Sequence, residues 1–327
     1  MKTDSKAHII EYIQSKGPAR PYDLAQSLGI TAAAVHRHLK KMVELGELEK
    51  RGVAPKVFYV FKSKEPVLPA TALSPEVSAT LESSFSYIDP AGRILSGVSA
   101  FSLWRQKANP HQSLSSLAQE YWQIRAEADS HKKDGRIDAT KRFEAIFSDC
   151  LLDKVFYQDF YSLIKFGKTK LGQLLLHGKQ AQDKQIISQM ARAALPLIEK
   201  LISEQKIQAV CWVPHSLPRQ VPFLKVVESS LHLTLPRIEV VKAYAGKIPI
   251  AQKSLSKLSE RIQNAEETMI VVPAQVNFGK VLLIDDAVGS GATLHELARK
   301  LKHKGAKKVI GFAFVGSYKG FEVIREV

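Results

Sequence analysis

The stretch Lys280-Val-Leu-Leu-Ile-Asp-Asp-Ala-Val-Gly-Ser-Gly-Ala-Thr293 constrains this chain more than any other. Its apolar start suits a strand buried on both faces, and two carboxylates and a loop of small residues follow. Leu294, Leu297, Ala298 and Leu301 then recur at the helical period as far as Gly305, and Lys308–Val315 reads as a second buried strand. Strand, loop, helix and parallel strand make a right-handed crossover, with the loop at the carboxyl edge where such sheets bind ligands. Gly289 and Gly291 allow a tight turn and bring N–H groups close to a phosphate, Ser290 and Thr293 add hydroxyls, and the helix N-terminus adds partial positive charge. Asp285 and Asp286, one step earlier, can accept hydrogen bonds from ribose hydroxyls or hold the water shell of Mg²⁺. A strand ending in solvent beside an ordinary helix start would look similar. The glycine spacing excludes both Gly-x-x-x-x-Gly-Lys-Ser/Thr and Gly-x-Gly-x-x-Gly.

This segment resembles the phosphoribosyl pyrophosphate (PRPP) motif of type I phosphoribosyltransferases: four apolar residues, two acidic ones, then a Thr/Ser-Gly-x-Thr loop. The resemblance implies that Asp285 and Asp286 bind the ribose hydroxyls and that the loop from Ala287 and Val288 through Gly289, Ser290, Gly291, Ala292 and Thr293 surrounds the 5′-phosphate. It also implies Asp286 as the catalytic carboxylate of an active enzyme and Mg²⁺ accompanying PRPP, reached through Asp285 and Asp286, with no zinc. Tyr161-Ser-Leu-Ile-Lys-Phe-Gly167, Ala209-Val-Cys-Trp-Val-Pro-His215 and Gln252-x-x-Leu-Ser-x-x-x-x-Glu-Arg-x-x-Asn264 are similar to the competence protein F (ComF) branch over about residues 155–317. In that branch Val213, Pro214, His215 and Ser216 would face the pyrophosphate. Residues 242–268 would form a mobile hood whose cations are Lys242, Lys253, Lys257 and Arg261; the charges at 250–265 would equally suit an exposed helical face. Two departures stand out: a Cys-rich zinc module commonly precedes this domain and is replaced here, and the usual Arg-Gly-Phe-Asn stretch appears only as Arg219-Gln-Val-Pro-Phe223.

What replaces the zinc module is patterned as three helices and a hairpin. Ile9, Ile10 and Ile13 share a helical face that ends at Gly17-Pro18. Pro21 opens a second helix with Leu24, Ala25 and Leu28 on its apolar side, Gly29 turns the chain, and Thr31 caps a third helix. Val35, Leu39, Met42 and Val43 are expected to face inward from that helix, leaving His36, Arg37, Lys40 and Lys41 outside. Glu47–Arg51 and Lys56–Phe61 read as strands joined by Gly52-Val-Ala-Pro55. The order resembles the winged helix-turn-helix of bacterial and archaeal regulators, carried by Thr31–Gly46, Leu48 and Arg51. Small residues at the third helix's start (Thr31, Ala33) with His36 and Arg37 suit base edges, and Lys40, Lys41, Arg51 and Lys56 suit phosphates. Winged helices also serve as dimerisation or docking modules.

Charge agrees with a polyanionic partner. The chain of 327 residues carries a formal charge of +15, and residues 1–64 hold twelve Lys/Arg against six Asp/Glu, a local +6. No signal peptide and no run of about 20 apolar residues is present, so a cytoplasmic protein without membrane partners is expected. Cys150 and Cys211 are too few for a zinc site and read as reduced, buried and inert.

The fold class expected is α/β: a winged helix (1–62, α+β), a Pro-containing linker (63–84), a mainly helical connecting region (85–150) with Trp104, Tyr121 and Trp122 in its packing, and a phosphoribosyltransferase-like domain (151–327). That last domain should be a Rossmann-like parallel sheet with helices on both faces. The function expected is a double-stranded DNA-binding transcriptional regulator that senses PRPP or a nucleotide as a homodimer, because a winged helix has no evident use in a salvage enzyme; the alternative is a Mg²⁺-dependent phosphoribosyltransferase in nucleotide or nucleobase salvage. A role in DNA uptake follows only from the competence-family resemblance.

Overall fold

In the computed structural model the described residues are 5–62 and 73–318 apart from 245 and 247, and the chain divides into two compact units, Met1–Pro69 and Ala70–Val327.

The first unit runs α1 (Ser5–Lys16), α2 (Pro21–Leu28), α3 (Ala32–Glu44), β1 (Leu48–Arg51) and β2 (Phe58–Phe61). Its core gathers Ile9 and Ile13, Leu24, Val35, Leu39 and Met42 with Leu48 and Tyr59. Thr31 caps α3 by accepting from the Ala34 N–H at 3.3 Å. Val43, expected inside, is 36% exposed. The buried stripe is Val35-Leu39-Met42, and the next residue lies about 100° further round the helix, outside it. β1 and β2 pair antiparallel, Leu48 opposite Phe61 and Arg51 opposite Phe58, so both strands start slightly later than the sequence pattern suggests. The wing's turn depends on Gly52, whose φ is +84° and whose Cβ, if present, would sit 2.2 Å from the Lys56 carbonyl oxygen.

The second unit opens with α4 (Pro75–Ser84), β3 (Ser86–Ile88), β4 (Ile94–Ser96), α5 (Gly97–Ala108), α6 (Leu114–Ser130), β5 (Lys132–Lys133), β6 (Arg136–Asp138) and α7 (Thr140–Ile146). It continues with β7 (Lys154–Phe160), β8 (Ser162–Leu163), β9 (Gly167–Lys168), α8 (Lys170–Ala181), α9 (Lys184–Gln205), β10 (Ala209–Trp212), α10 (Phe223–Leu231), β11 (Arg237–Ile238) and β12 (Val240–Lys242). A one-turn 3₁₀ helix at Gln252–Ser254, α11 (Leu258–Thr268), β13 (Met269–Val271), β14 (Lys280–Val288), α12 (Ala292–His303) and β15 (Lys308–Gly316) complete it.

The central sheet has the order β11-β10-β14-β15-β7-β6-β5, parallel from β11 through β7 and closed by the antiparallel β6 and β5. From β10 the chain crosses through α10 to β11 on one side; from β14 it crosses through α12 to β15 on the other. Right-handed crossovers in opposite directions put their helices on opposite faces, so the two connections part company between β10 and β14. That parting opens a crevice at the strands' carboxyl ends.

The linker and middle region differ from expectation. Residues 75–84, assigned to a tether, form α4, because Ser74 and Pro75 are a helix start: Ser74 Oγ accepts from the Val77 N–H at 3.4 Å and Pro75 needs no donor. Residues 85–150 are no separate connector; Phe101, Tyr121 and Phe143 join the same core as Ile284 and Phe312. An aromatic cluster ties them in, with Phe85–Phe101 centroids 4.9 Å and Tyr121–Phe166 centroids 5.1 Å apart and Trp104 against Phe166 at 5.6 Å. Cys211 is buried, whereas Cys150, expected to be buried as well, is partly exposed. No helix among the described residues is long and apolar enough to cross a membrane.

Because the two units have separate cores, Leu39→Ala should cost about 2–5 kcal/mol in the first unit alone. Calorimetry of the full chain should show one of two transitions moved to lower temperature and the other unchanged.

Candidate functional site

The crevice between β10 and β14 is a cavity of about 460 Å³. One wall is the end of β14 and the start of α12: Asp285, Asp286, Ala287, Val288, Gly289, Ser290, Gly291, Ala292 and Thr293 all line it. The facing wall is the segment after β10, Val213, Pro214, His215 and Ser216. Both groups named from the sequence thus meet at one opening, since the parallel pairing of Trp212 with Ile284 brings the two strand ends level.

The loop before α12 is built to leave its amides free. Gly291 caps the helix at φ +79°, and a Cβ there would fall 2.6 Å from the Phe143 ring, so α7 seats the loop from beneath and only glycine fits. The N–H groups of Ser290, Gly291, Thr293 and Leu294 meet no acceptor among the described residues, and that of Ala292 reaches only Ser290 Oγ at 3.5 Å. Unpaired amides at a helix N-terminus attract an anion.

The acid pair is held tightly. Asp285 Oδ1 accepts from the Asp286 N–H at 2.7 Å, while Asp286 Oδ2 lies 2.7 Å from Lys179 Nζ on α8. Burial first, and the Asp286 charge second, push the Asp285 carboxyl well above its ordinary range, against the pull of the Asp286 amide and Lys179. As donors for Mg²⁺ the pair offers little by itself: one carboxylate oxygen already faces an ammonium, and no cluster of three or more His, Cys, Asp or Glu able to hold a metal occurs among the described residues.

The hood residues divide. Lys242 and Arg261 line the cavity. The Lys242 ammonium donates to Asn264 Oδ1 at 3.1 Å and to the Ile250 carbonyl at 3.3 Å, and burial pulls its pKa down to about 8. Arg261 is buried, its guanidinium donating to the Leu255 carbonyl at 2.9 and 2.8 Å, so it braces the segment as well as facing the cavity. Lys257, expected among the hood cations, is exposed at the start of α11 and outside the lining. The Lys253 side chain lies outside the described residues. Tyr244 Oη donates to the Ser216 carbonyl at 2.5 Å and fastens the segment to the loop after β10. His215 is kept below its usual pKa by burial and by Lys225 and Arg219, so it is mainly neutral at pH 7.

Lys179 and Lys225 also line the cavity, with no sequence pattern marking them, as do Tyr244, inside the expected hood segment, and Arg219, from the stretch that departs from Arg-Gly-Phe-Asn. Arg219 Nη1 donates to the Lys179 carbonyl at 2.7 Å, which joins α8 to the segment after β10. No spacing rule links Lys179 to Asp286; only the fold brings them together.

In the first unit, Thr31, Ala33, His36, Arg37, Lys40, Lys41, Arg51 and Lys56 are all exposed. Arg51 is turned to Glu49 at 2.5 Å and Lys40 approaches Glu44 at 3.9 Å. Arg37 and Lys41 have no acidic partner among the described residues. Residues 3–55 match the MarR family model.

No curated protein matches the chain. Similar solved structures include a purine phosphoribosyltransferase from Pyrococcus horikoshii, 16% identical over 39% of this chain and 83% of that one, with a TM-score of 0.25. A hypoxanthine phosphoribosyltransferase from Staphylococcus aureus is 14% identical over 42% of this chain and 67% of its own, again with a TM-score of 0.25. A hypoxanthine-guanine phosphoribosyltransferase from Bacillus anthracis is 14% identical over 42% and 71%, also at 0.25. The α/β architecture follows from the strand order itself.

A carboxyl whose pKa is raised on folding favours the protonated form, so its contribution to stability is lost as pH climbs from about 4 through the raised value. Asp285→Asn, which removes that charge, should therefore melt at higher temperature than the native chain at pH 8. The gap should close toward pH 4; equal melting temperatures at both pH values would refute the assignment of strain to Asp285.

Proposed function

We propose that this protein is a DNA-binding regulator whose second unit takes a ligand bearing ribose 5-phosphate, PRPP or a related nucleotide. The observation that carries the reading is the row of unpaired amides at Ser290–Leu294 beside Asp285 and Asp286, at the mouth of a cavity wide enough for a nucleotide. In this reading the amides take the 5′-phosphate and the two carboxylates accept from the ribose hydroxyls. Val213–Ser216 with Arg219 and Lys225 receive a second anionic group at the facing wall, the position that the similarity to the ComF branch assigns to pyrophosphate.

The DNA-binding half rests on the exposed cations of α3 and the wing and on the match of residues 3–55 to the MarR family. α3 enters the major groove, Thr31, Ala33, His36 and Arg37 approach base edges, and Lys40, Lys41 and Lys56 meet phosphates. Two copies on paired half-sites account for a homodimer. Ligand control requires the ligand to bind the DNA-competent and incompetent states with different affinity.

A second reading, an active transferase, draws on the segment fastened over the cavity by Tyr244, which would exclude water during transfer. In it, a common nucleobase releases pyrophosphate from PRPP and Asp286→Asn abolishes the release; absence of turnover with every base retires it.

Arg37→Ala should weaken DNA binding about 10-fold at moderate salt without changing the circular dichroism of the chain. PRPP or a nucleotide should shift the affinity of the native protein for the same DNA, measured by fluorescence anisotropy. An affinity that none of these ligands moves would leave the regulator reading without its sensor.

A further inference from the structure

Lys179 forms an ion pair with Asp286 of the acid pair, and its placement is constrained from several sides. α8 is anchored at its start by Thr169, whose Oγ1 donates to the Phe160 carbonyl at 2.7 Å and accepts from the Gly172 N–H at 3.0 Å. Gly172 lies so close to the Tyr161 carbonyl that a Cβ would approach to 2.1 Å, which draws α8 against the end of β7. Further along α8, the Lys179 carbonyl holds Arg219 and its ammonium lies 5.8 Å from the Phe223 ring centroid. The Lys179 and Asp286 side chains are 13% and 20% exposed, so water screens this pair less than a surface one.

Lys179 supplies one charge from the chain itself, and a divalent ion approaching Asp286 would meet that ammonium 2.7 Å from its donor oxygen. Phosphate charge on a ligand has other partners in the same cavity, the helix-mouth amides and the side chains of Arg219, Lys225 and Lys242.

From this geometry we propose that Lys179 is the resident counter-cation of Asp286, so that the cavity holds phosphorylated ribose without a divalent metal ion. This rests on the sugar-phosphate reading of the cavity. Lys179 is thereby a positioning residue: it acts on the ligand through the Asp286 carboxylate that it holds at 2.7 Å.

The test is calorimetric titration of PRPP into the full-length protein, in EDTA and in MgCl₂, for the native chain, Lys179→Gln and Lys179→Arg. The native Kd should agree between the two media within about 3-fold. Lys179→Gln should bind at least about 10-fold more weakly in EDTA and regain most of the loss in MgCl₂, whereas Lys179→Arg should stay close to native. Native binding that appears only with Mg²⁺ overturns the proposal, and so does Lys179→Gln binding like the native chain in EDTA. Because the native comparison needs no variant, a misfolded Lys179→Gln, revealed by its melting curve, does not protect the idea. No PRPP binding in either medium by any of the three proteins would instead sink the sugar-phosphate reading and this proposal with it.

Discussion

The second unit is organised by a single topological event, the divergence of the crossovers that leave β10 and β14. Two adjacent parallel strands whose connections depart in opposite directions cannot have their carboxyl ends covered by those connections, so a crevice forms there. The segments 213–216 and 289–293 border it because each is the first stretch of chain to leave its strand. The position of the site is thus a property of the sheet, and its chemistry a property of the residues that happen to leave the strands there.

Those residues trade stability for chemistry. Asp285 and Asp286 repel each other in a partly dehydrated place, and the amides before α12 are left without partners, each a cost to folding. The surrounding core sustains them: Ile284, Leu283, Phe312 and Phe314 are fully buried beneath the loop, and Phe143 braces Gly291. The middle region accordingly has a function by support, since α7 carries Phe143 and the aromatic cluster around Tyr121 locks that region to the sheet.

The first unit shows how far local rules reach. Its helices, its Thr31 cap and its hairpin follow from short-range periodicity and turn residues, and the structure repeats them nearly residue for residue. Its errors are local too: Val43 shares the apolar character of Met42 but not its side of the helix. In the second unit composition misled. Ser74 and Pro75 look like part of a linker, yet Ser74 accepts from Val77 and starts a helix, and of the hood cations Lys257 points to solvent while Arg261 turns to Leu255.

Sequence alone determined the strand, loop and helix around Asp285–Thr293 and the three helices and wing of the first unit, because hydrophobic period, glycine and capping residues act over a few positions. The tertiary structure alone decided which distant groups share the cavity. Lys179 on α8, Arg219 after β10 and Tyr244 after β12 reach it through helix packing and strand order, contacts between segments far apart in the chain whose spacing no local pattern encodes.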